Sequence, residues 1–211
     1  MKYLIIIVIG LVCATASAQD KGLSMRAGYS FPFAPYGVWS DKVTSLYANN
    51  DFNFYPGNGY GLTFDTEIQS DKPFLRYRIG AFYQYGSRYD FYEDDLQTSE
   101  AWLYLTGAGV YGGVSFRAGW EHFGLFNAYT AGIFSFDYRI EMQYTSKLGV
   151  VPLTNSGGEA VSGPGGKFEL GFYGELKGFG IYPSFQLFYS HNRKSQALLI
   201  KTINISAGYS F

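Results

Sequence analysis

Cysteine is nearly absent from this chain of 211 residues, which has one, Cys13, and only two histidines. Cys13 lies in the apolar stretch near the start, so the remainder carries no disulfide, no thiol nucleophile and no thiolate metal ligand. Long apolar runs are missing as well. The longest, Tyr3 to Cys13 within "MKYLIIIVIGLVCATASA", is too short for a spanning helix, which needs about 20 apolar residues. Neither sign of charge dominates, with 16 Lys and Arg against 17 Asp and Glu, and no basic stripe suggests a nucleic-acid partner. There is no phosphate-binding loop, dinucleotide fingerprint or cluster of metal ligands. The chain is therefore expected to use no cofactor and no resident metal.

What is abundant is aromatic and small: 20 Tyr, 19 Phe and 27 Gly, with charged residues at only 16%. Such a composition suits many strands that approach closely and a surface not wholly meant for water. The start has Lys2, then the apolar run, then Ala16 and Ala18 before Gln19, the pattern of a secretory signal with an A-x-A cleavage site. A lipoprotein signal would want a small residue before the cysteine, and Val12 is not one. Residues 1–18 are thus expected to be a cleaved signal, leaving 19–211 as a single domain. Losing Lys2 moves the formal net charge from −1 to about −2.

Alternation with a period of two recurs along that domain and places successive side chains on opposite faces of strands. It runs through Leu23, Met25, Ala27, Tyr29 and Phe31; through Tyr60, Leu62, Phe64 and Ile68; and through Leu75, Tyr77, Ile79, Ala81, Tyr83 and Tyr85. A fourth run holds Trp102, Tyr104, Val110, Val114 and Phe116, a sixth Phe168, Leu170, Phe172 and Leu176, and a seventh Ile181, Phe185, Leu187 and Tyr189. The fifth, "HFGLFNAYTAGIFSFDY", is apolar on both parities and its face stays open. Long polar or Gly-rich connections at 32–58, 86–101, 138–166 and 190–198 alternate with tight turns at "SDKP", "RAGWE" and "KGFG". That order predicts an all-β fold, an eight-stranded antiparallel up-and-down barrel. A soluble ligand-binding barrel would turn the apolar face inward. The other parity, rich in Gly, Ser, Thr and Asn, makes a poor soluble exterior, and with the export signal this favours a transmembrane β-barrel in the bacterial outer membrane.

The last run closes the chain as "TINISAGYSF", with Ile203, Ile205, Ala207, Tyr209 and Phe211 on one face. With this ending, the segment from residue 19 onward resembles the small eight-stranded outer-membrane barrels of the OmpA/OmpX kind, including the broader PorT-like group. The resemblance implies that Ile205, Ala207, Tyr209 and Phe211 form the signal read by the barrel-assembly machinery. It implies fold and location; the same barrel hosts adhesins, lipid-modifying enzymes and structural anchors, so it implies no task.

If the apolar parity meets lipid, the other lines the lumen and contains Arg26, Asp65, Glu67, Arg76, Arg78, Gln84, Glu169 and Glu175. A two-residue turn at Asp71 and Lys72 pairs Glu67 with Arg76 and Asp65 with Arg78, and sets Ile68 opposite Leu75. Charges enclosed in a narrow lumen must be paired. A type II′ turn at Gly178 and Phe179 would oppose Leu176 to Ile181 and Glu175 to Tyr182. Eight strands leave an interior that side chains can fill, so this network is expected to plug the barrel; a narrow selective channel is the alternative.

Chemistry outside the barrel is sparse. "FYSHNRKS" resembles the lipid A deacylase barrels, but Ser190 precedes His191 here and adjacent residues point to opposite faces, which argues against esterase activity and leaves no catalytic residue; His122 lies beside a short turn. The segment "SRYDFYEDDLQTSE" holds Asp90, Glu93, Asp94, Asp95 and Glu100 against Arg88, and reads as a solvated acidic loop, its spacing matching no calcium loop. Its aromatics Tyr89, Phe91 and Tyr92 suit a partner surface or an interfacial girdle. Arg193, Lys194 and Lys201 near the outer rim are placed to meet lipopolysaccharide phosphates, and "NSGGEAVSGPGG" is flexible by composition. The expectation is a non-enzymatic barrel acting through its outer loops or lipid face, as a structural or interaction protein or a subunit of an assembly or secretion complex.

Overall fold

The computed structural model describes residues 22–32, 37–39, 58–93, 97–120, 122–146, 153–191 and 197–211. The expected signal at 1–18, the acidic pair Asp94 and Asp95, and Arg193 and Lys194 lie outside the described residues, as do the side chains of Arg88, Asp90 and Glu93. The described residues form nine strands: β1 Leu23–Pro32, β2 Gly37–Trp39, β3 Asn58–Gln69, β4 Leu75–Glu93, β5 Gln97–Gly119, β6 Phe123–Ser146, β7 Leu153–Leu176, β8 Phe179–His191 and β9 Ala197–Ser210. Every neighbouring pair is antiparallel, and β1 against β9, from Ser24 opposite Ser210 to Pro32 opposite Thr202, closes the sheet on itself. Eight strands make this barrel. The three-residue β2 follows β1 along the same side of β9.

Alternation decides the wall because a closed sheet has only two faces. Arg26, Asp65, Glu67, Arg78 and Glu169 are each at most 2% exposed, while Ile79 is 66%, Ile133 70% and Phe172 63% exposed. The barrel is polar inside and apolar outside over the part that holds these residues. Strand β6 settles its own ambiguity: Phe126, Ala128, Thr130, Phe134, Phe136 and Tyr138 point inward and are buried, and Leu125, Tyr129 and Ile133 point outward. Both parities are apolar there because one meets the exterior and the other packs the lumen.

Three expectations need correction. The stretches 86–101 and 138–166 are mostly strand: β4 pairs with β5 out to Glu93 opposite Thr98, and β6 with β7 out to Tyr144 opposite Leu153. A hairpin ladder once begun gains one pair per step, whether or not lipid flanks it, and the Tyr, Phe, Trp and Thr content of these stretches favours extended backbone. The first short turn is also longer than expected. Glu67 opposes Arg78 and Gln69 opposes Arg76, so the pairing is displaced by two residues. A two-residue turn would need the Pro73 N–H to close it, and proline has none. Instead Ser70 N donates to Leu75 O at 3.1 Å, Leu75 N to Lys72 O at 3.0 Å, and Lys72 N to Ser70 Oγ at 3.1 Å.

In the third short turn the central residues are Lys177 and Gly178, at φ 52° and 82°, with Leu176 opposite Phe179. Two successive positive φ values make the type I′ geometry, whose twist matches the flanking strands, and this frees Phe179 for the outer face. Both displacements are even, so no side chain changes face.

Candidate functional site

Buried side chains fill the described part of the lumen in layers. Toward the tall hairpins lies an apolar plug of Phe82, Leu105, Phe134, Phe136, Tyr138, Val161, Phe188, Leu198 and Ile200. The Phe82 ring sits 4.9 Å from Phe134 and 4.6 Å from Phe188, centroid to centroid. Glycines in the wall make room for these rings. A Cβ on Gly107 would stand 2.1 Å from Phe136 Cδ1, and one on Gly165 2.2 Å from Phe134 Cδ2.

Beneath the plug is a first ionic layer built by β3, β4, β5 and β7. Arg78 grips Asp65 with two bonds, Nε to Oδ1 at 2.8 Å and Nη2 to Oδ2 at 2.6 Å. Its Nη1 lies 2.7 Å from Glu169 Oε2, an ion pair by distance whose N–H is not aligned on that oxygen. Tyr111 donates its hydroxyl hydrogen to Asp65 Oδ1 at 2.6 Å and receives one from Lys167 Nζ at 2.8 Å. Lys167 Nζ is also 3.2 Å from Glu169 Oε2, and Ser184 Oγ donates to Glu169 Oε1 at 2.7 Å. Two cations face two carboxylates, and Tyr111 ties them together.

A second ionic layer lies toward the short turns. Glu67 pairs with Arg26 and, at 3.1 Å, with Arg117, which also pairs with Glu175. Tyr182 donates to Glu175 Oε1 at 2.7 Å. Aromatic faces cover the guanidinium groups: Arg26 Cζ is 4.5 Å from the Tyr182 ring centre and 5.3 Å from Phe126, and Arg117 Cζ is 5.0 Å from Tyr173. Such contacts satisfy a buried cation on the sides that no carboxylate reaches.

The structure thus places Arg26, Asp65, Glu67, Arg78 and Glu169 in the buried lumen and Glu175 in its half-buried mouth. The pairing of Asp65 with Arg78 is present as a diagonal contact across the displaced register. Glu67 with Arg76 is not: Glu67 is held from β1 and β5 instead. Sequence reasoning passed over Arg117, Lys167 and Tyr111. Their signal was the same parity that found the others, since Arg117 and Tyr111 are in step with Ser115, and Lys167 with Glu169. They were passed over because 117 adjoined an expected turn and 167 an expected loop.

Chemically, this arrangement neutralises charge and fills space. Ser190 is buried on the lumen side while the adjacent His191 is exposed, so the two lie on opposite faces of β8. His122 is exposed, and its carbonyl accepts from Glu175 N at 2.7 Å. Among the described residues no group of three or more His, Cys, Asp or Glu side chains is placed to hold a metal ion. Ile205, Ala207, Tyr209 and Phe211 all face outward, and Phe211 N donates to Leu23 O at 2.8 Å.

No family model and no curated protein matches the chain. Solved structures do. Ail, the attachment invasion locus protein of Yersinia pestis, is similar with a TM-score of 0.47 at 15% identity, over 92% of this chain and 100% of that one. Neisserial surface protein A gives 0.41 at 9% identity over 90% and 97%, and the N-terminal β-barrel domain of Pseudomonas aeruginosa OprF gives 0.37 at 11% over 90% and 98%. At these identities and TM-scores the closed eight-stranded antiparallel barrel rests on the chain's own strand pairing.

Proposed function

We propose that this chain is an outer-membrane barrel that conducts nothing and works outside its wall, as an interaction protein engaged through its tall hairpins. Its inverted polarity supports the location. On β4 the outward face from Leu75 to Tyr85 is apolar throughout, a rise of about 25 Å once strand tilt is allowed for, which is the height of a membrane barrel's lipid belt. On β6 the belt gives way above Ile133 to outward Ser135, Asp137, Arg139 and Glu141, with Arg139 Nε 3.3 Å from Glu141 Oε1.

The observation that carries the functional reading is the unequal height of the wall. β3 begins at Asn58 opposite Ser87, but β4 runs on to Glu93; β8 ends at His191, while β7 reaches back to Leu153. Four strands, β4 to β7, therefore stand above the rim paired to one another, rising about 20 Å along β4 and about 40 Å along β7. Among the described residues, the outer edges of this sheet, 88–93 and 153–164, have no strand partner. Open edges offer backbone hydrogen bonds to an extended segment of another protein. The outer rim also faces lipopolysaccharide, where Lys201, outward on β9, is placed for phosphate contact.

Tagging the 147–152 connection and extracting the native outer membrane in mild detergent should recover a second protein in stoichiometric amount, lost when residues 90–99 are replaced by a short turn. Purified barrel should be silent in planar bilayers, and its overproduction should leave lipid A unchanged by mass spectrometry. A lone barrel, or regular single-channel steps altered by Arg78→Ala, would overturn the reading, the second in favour of a narrow channel. The outward row Ile205, Ala207, Tyr209 and Phe211 serves the assembly machinery in this proposal. Deleting Phe211 should lower the yield of heat-modifiable barrel severalfold, and an unchanged yield would remove that role.

A further inference from the structure

The two ionic layers are not equally balanced. In the upper one Arg78 and Lys167 meet Asp65 and Glu169; in the lower one Arg26, Arg76 and Arg117 meet only Glu67 and Glu175. The excess cation is Arg76. Among the described residues it makes no ion pair, and its Nε is buried with no hydrogen-bond partner. The charged and titratable groups that act on it are Arg117, Glu67, Glu175 and Tyr182; Glu67 is engaged by Arg26 and Arg117, and Glu175 Oε1 by Arg117 and the Tyr182 hydroxyl.

Arg76 also has polar company in its own cross-strand row. Gln69 stands opposite it on β3 and Ser115 opposite it on β5. Ser115 is fully buried on the lumen face, and its Oγ has no partner. An unpartnered hydroxyl across the ladder from a guanidinium whose Nε is buried without a partner is costly unless something accepts from both. Arg76 is only part-buried, two residues above the short β3–β4 turn, so the row opens toward the short-turn mouth.

We propose that this mouth binds an oxyanion of the phosphate class, with Arg76 as the charged anchor, Ser115 Oγ as a second donor, and Arg117 adding positive field from two residues along β5. A phosphate offers several acceptor oxygens and matches the planar fork of a guanidinium, whereas water would leave the extra charge unmatched. The source of the phosphate group is either a free anion or the headgroup of a phospholipid in the adjacent leaflet.

The test uses the full mature barrel in nanodiscs, observing arginine Nε–H resonances by NMR while inorganic phosphate is added. In the parent the Arg76 resonance should shift saturably; in the Arg76 variants, read through the Arg117 Nε–H, affinity should weaken about tenfold or more for Arg76→Gln. Arg76→Lys, which keeps charge but not the fork, should fall between, and Ser115→Ala should weaken binding without loss of heat-modifiability. If the lipid headgroup is the source, the resonance in phosphatidylglycerol nanodiscs should already be shifted without free phosphate and move no further as it is added; if the free anion is, the shift should appear only on titration. No shift from either source, or an unchanged affinity in folded Arg76→Gln, would overturn the assignment.

Discussion

Arg78→Met should destabilise the barrel by about 3–5 kcal/mol, the cost of leaving buried charge without its partner. Methionine fills much of the same volume, so the loss reports charge rather than packing. Without the guanidinium, Asp65 loses two bonds of 2.8 and 2.6 Å and Glu169 a contact at 2.7 Å, and the two carboxylates must share Lys167 and Tyr111. Urea unfolding in lipid vesicles should show the lower midpoint. Adding Asp65→Asn to Arg78→Met should recover part of the loss, because a buried pair removed together leaves less uncompensated charge than one removed by half. Arg78→Lys should fall between, since an ammonium cannot take both Asp65 oxygens as a planar fork does. Stability of Arg78→Met within about 0.5 kcal/mol of the parent would mean that water or mobile ions, rather than this network, neutralise the lumen.

Ile79→Arg should cost about 2–4 kcal/mol when the protein is held in a bilayer, the penalty for a cation at mid-depth on a barrel's lipid face. Ile79 is 66% exposed and lies near the middle of the apolar run on β4. On a water-facing wall the same substitution would change stability by no more than about 0.5 kcal/mol, so the experiment separates the two orientations sharply. Ser135→Arg, outward on β6 at the upper limit of the belt, should cost only about 0–1 kcal/mol. Equal effects at the two positions would argue that no depth-dependent solvent surrounds the barrel.

Both variants were choosable from parity, which shows how far local reasoning reaches. Arg78 and Ile79 are neighbours, and extended backbone alone sends one into the lumen and the other outward. Period-two reading failed where its input was ambiguous or its boundaries were drawn too tightly. Strand β6 is apolar on both faces because Phe134 and Phe136 belong to the plug while Ile133 belongs to the exterior. Arg117 adjoins the tight turn near Gly119 and Lys167 the Gly-rich stretch at 138–166. The stretch before Lys167 is strand, as nothing in a hairpin ladder requires it to stop at the membrane surface, and Arg117 stands in the last turn-ward residues of β5.

The pairing of charges was legible only as an inventory. Moving the first hairpin by two residues left Glu67 and Arg76 inside but gave Glu67 to Arg26 and Arg117, which lie 41 and 50 residues away in the chain. Turn chemistry caused the displacement: Pro73 cannot supply the N–H that a two-residue turn demands. A rule for turn closure applied to "SDKP" would have found it.

By itself, then, the sequence determined that the chain is built of strands, which face of each unambiguous strand is polar, and most of the lumen charges, because side-chain direction in extended backbone is a local property repeated every second residue. Only the tertiary structure decided which carboxylate each cation meets, that phenylalanines and not charges close the tall end, and that Arg76 is left over. Those outcomes depend on register and on closure of β1 against β9, which bring five or more strands to a common axis, and no period within one strand encodes what the opposite wall presents.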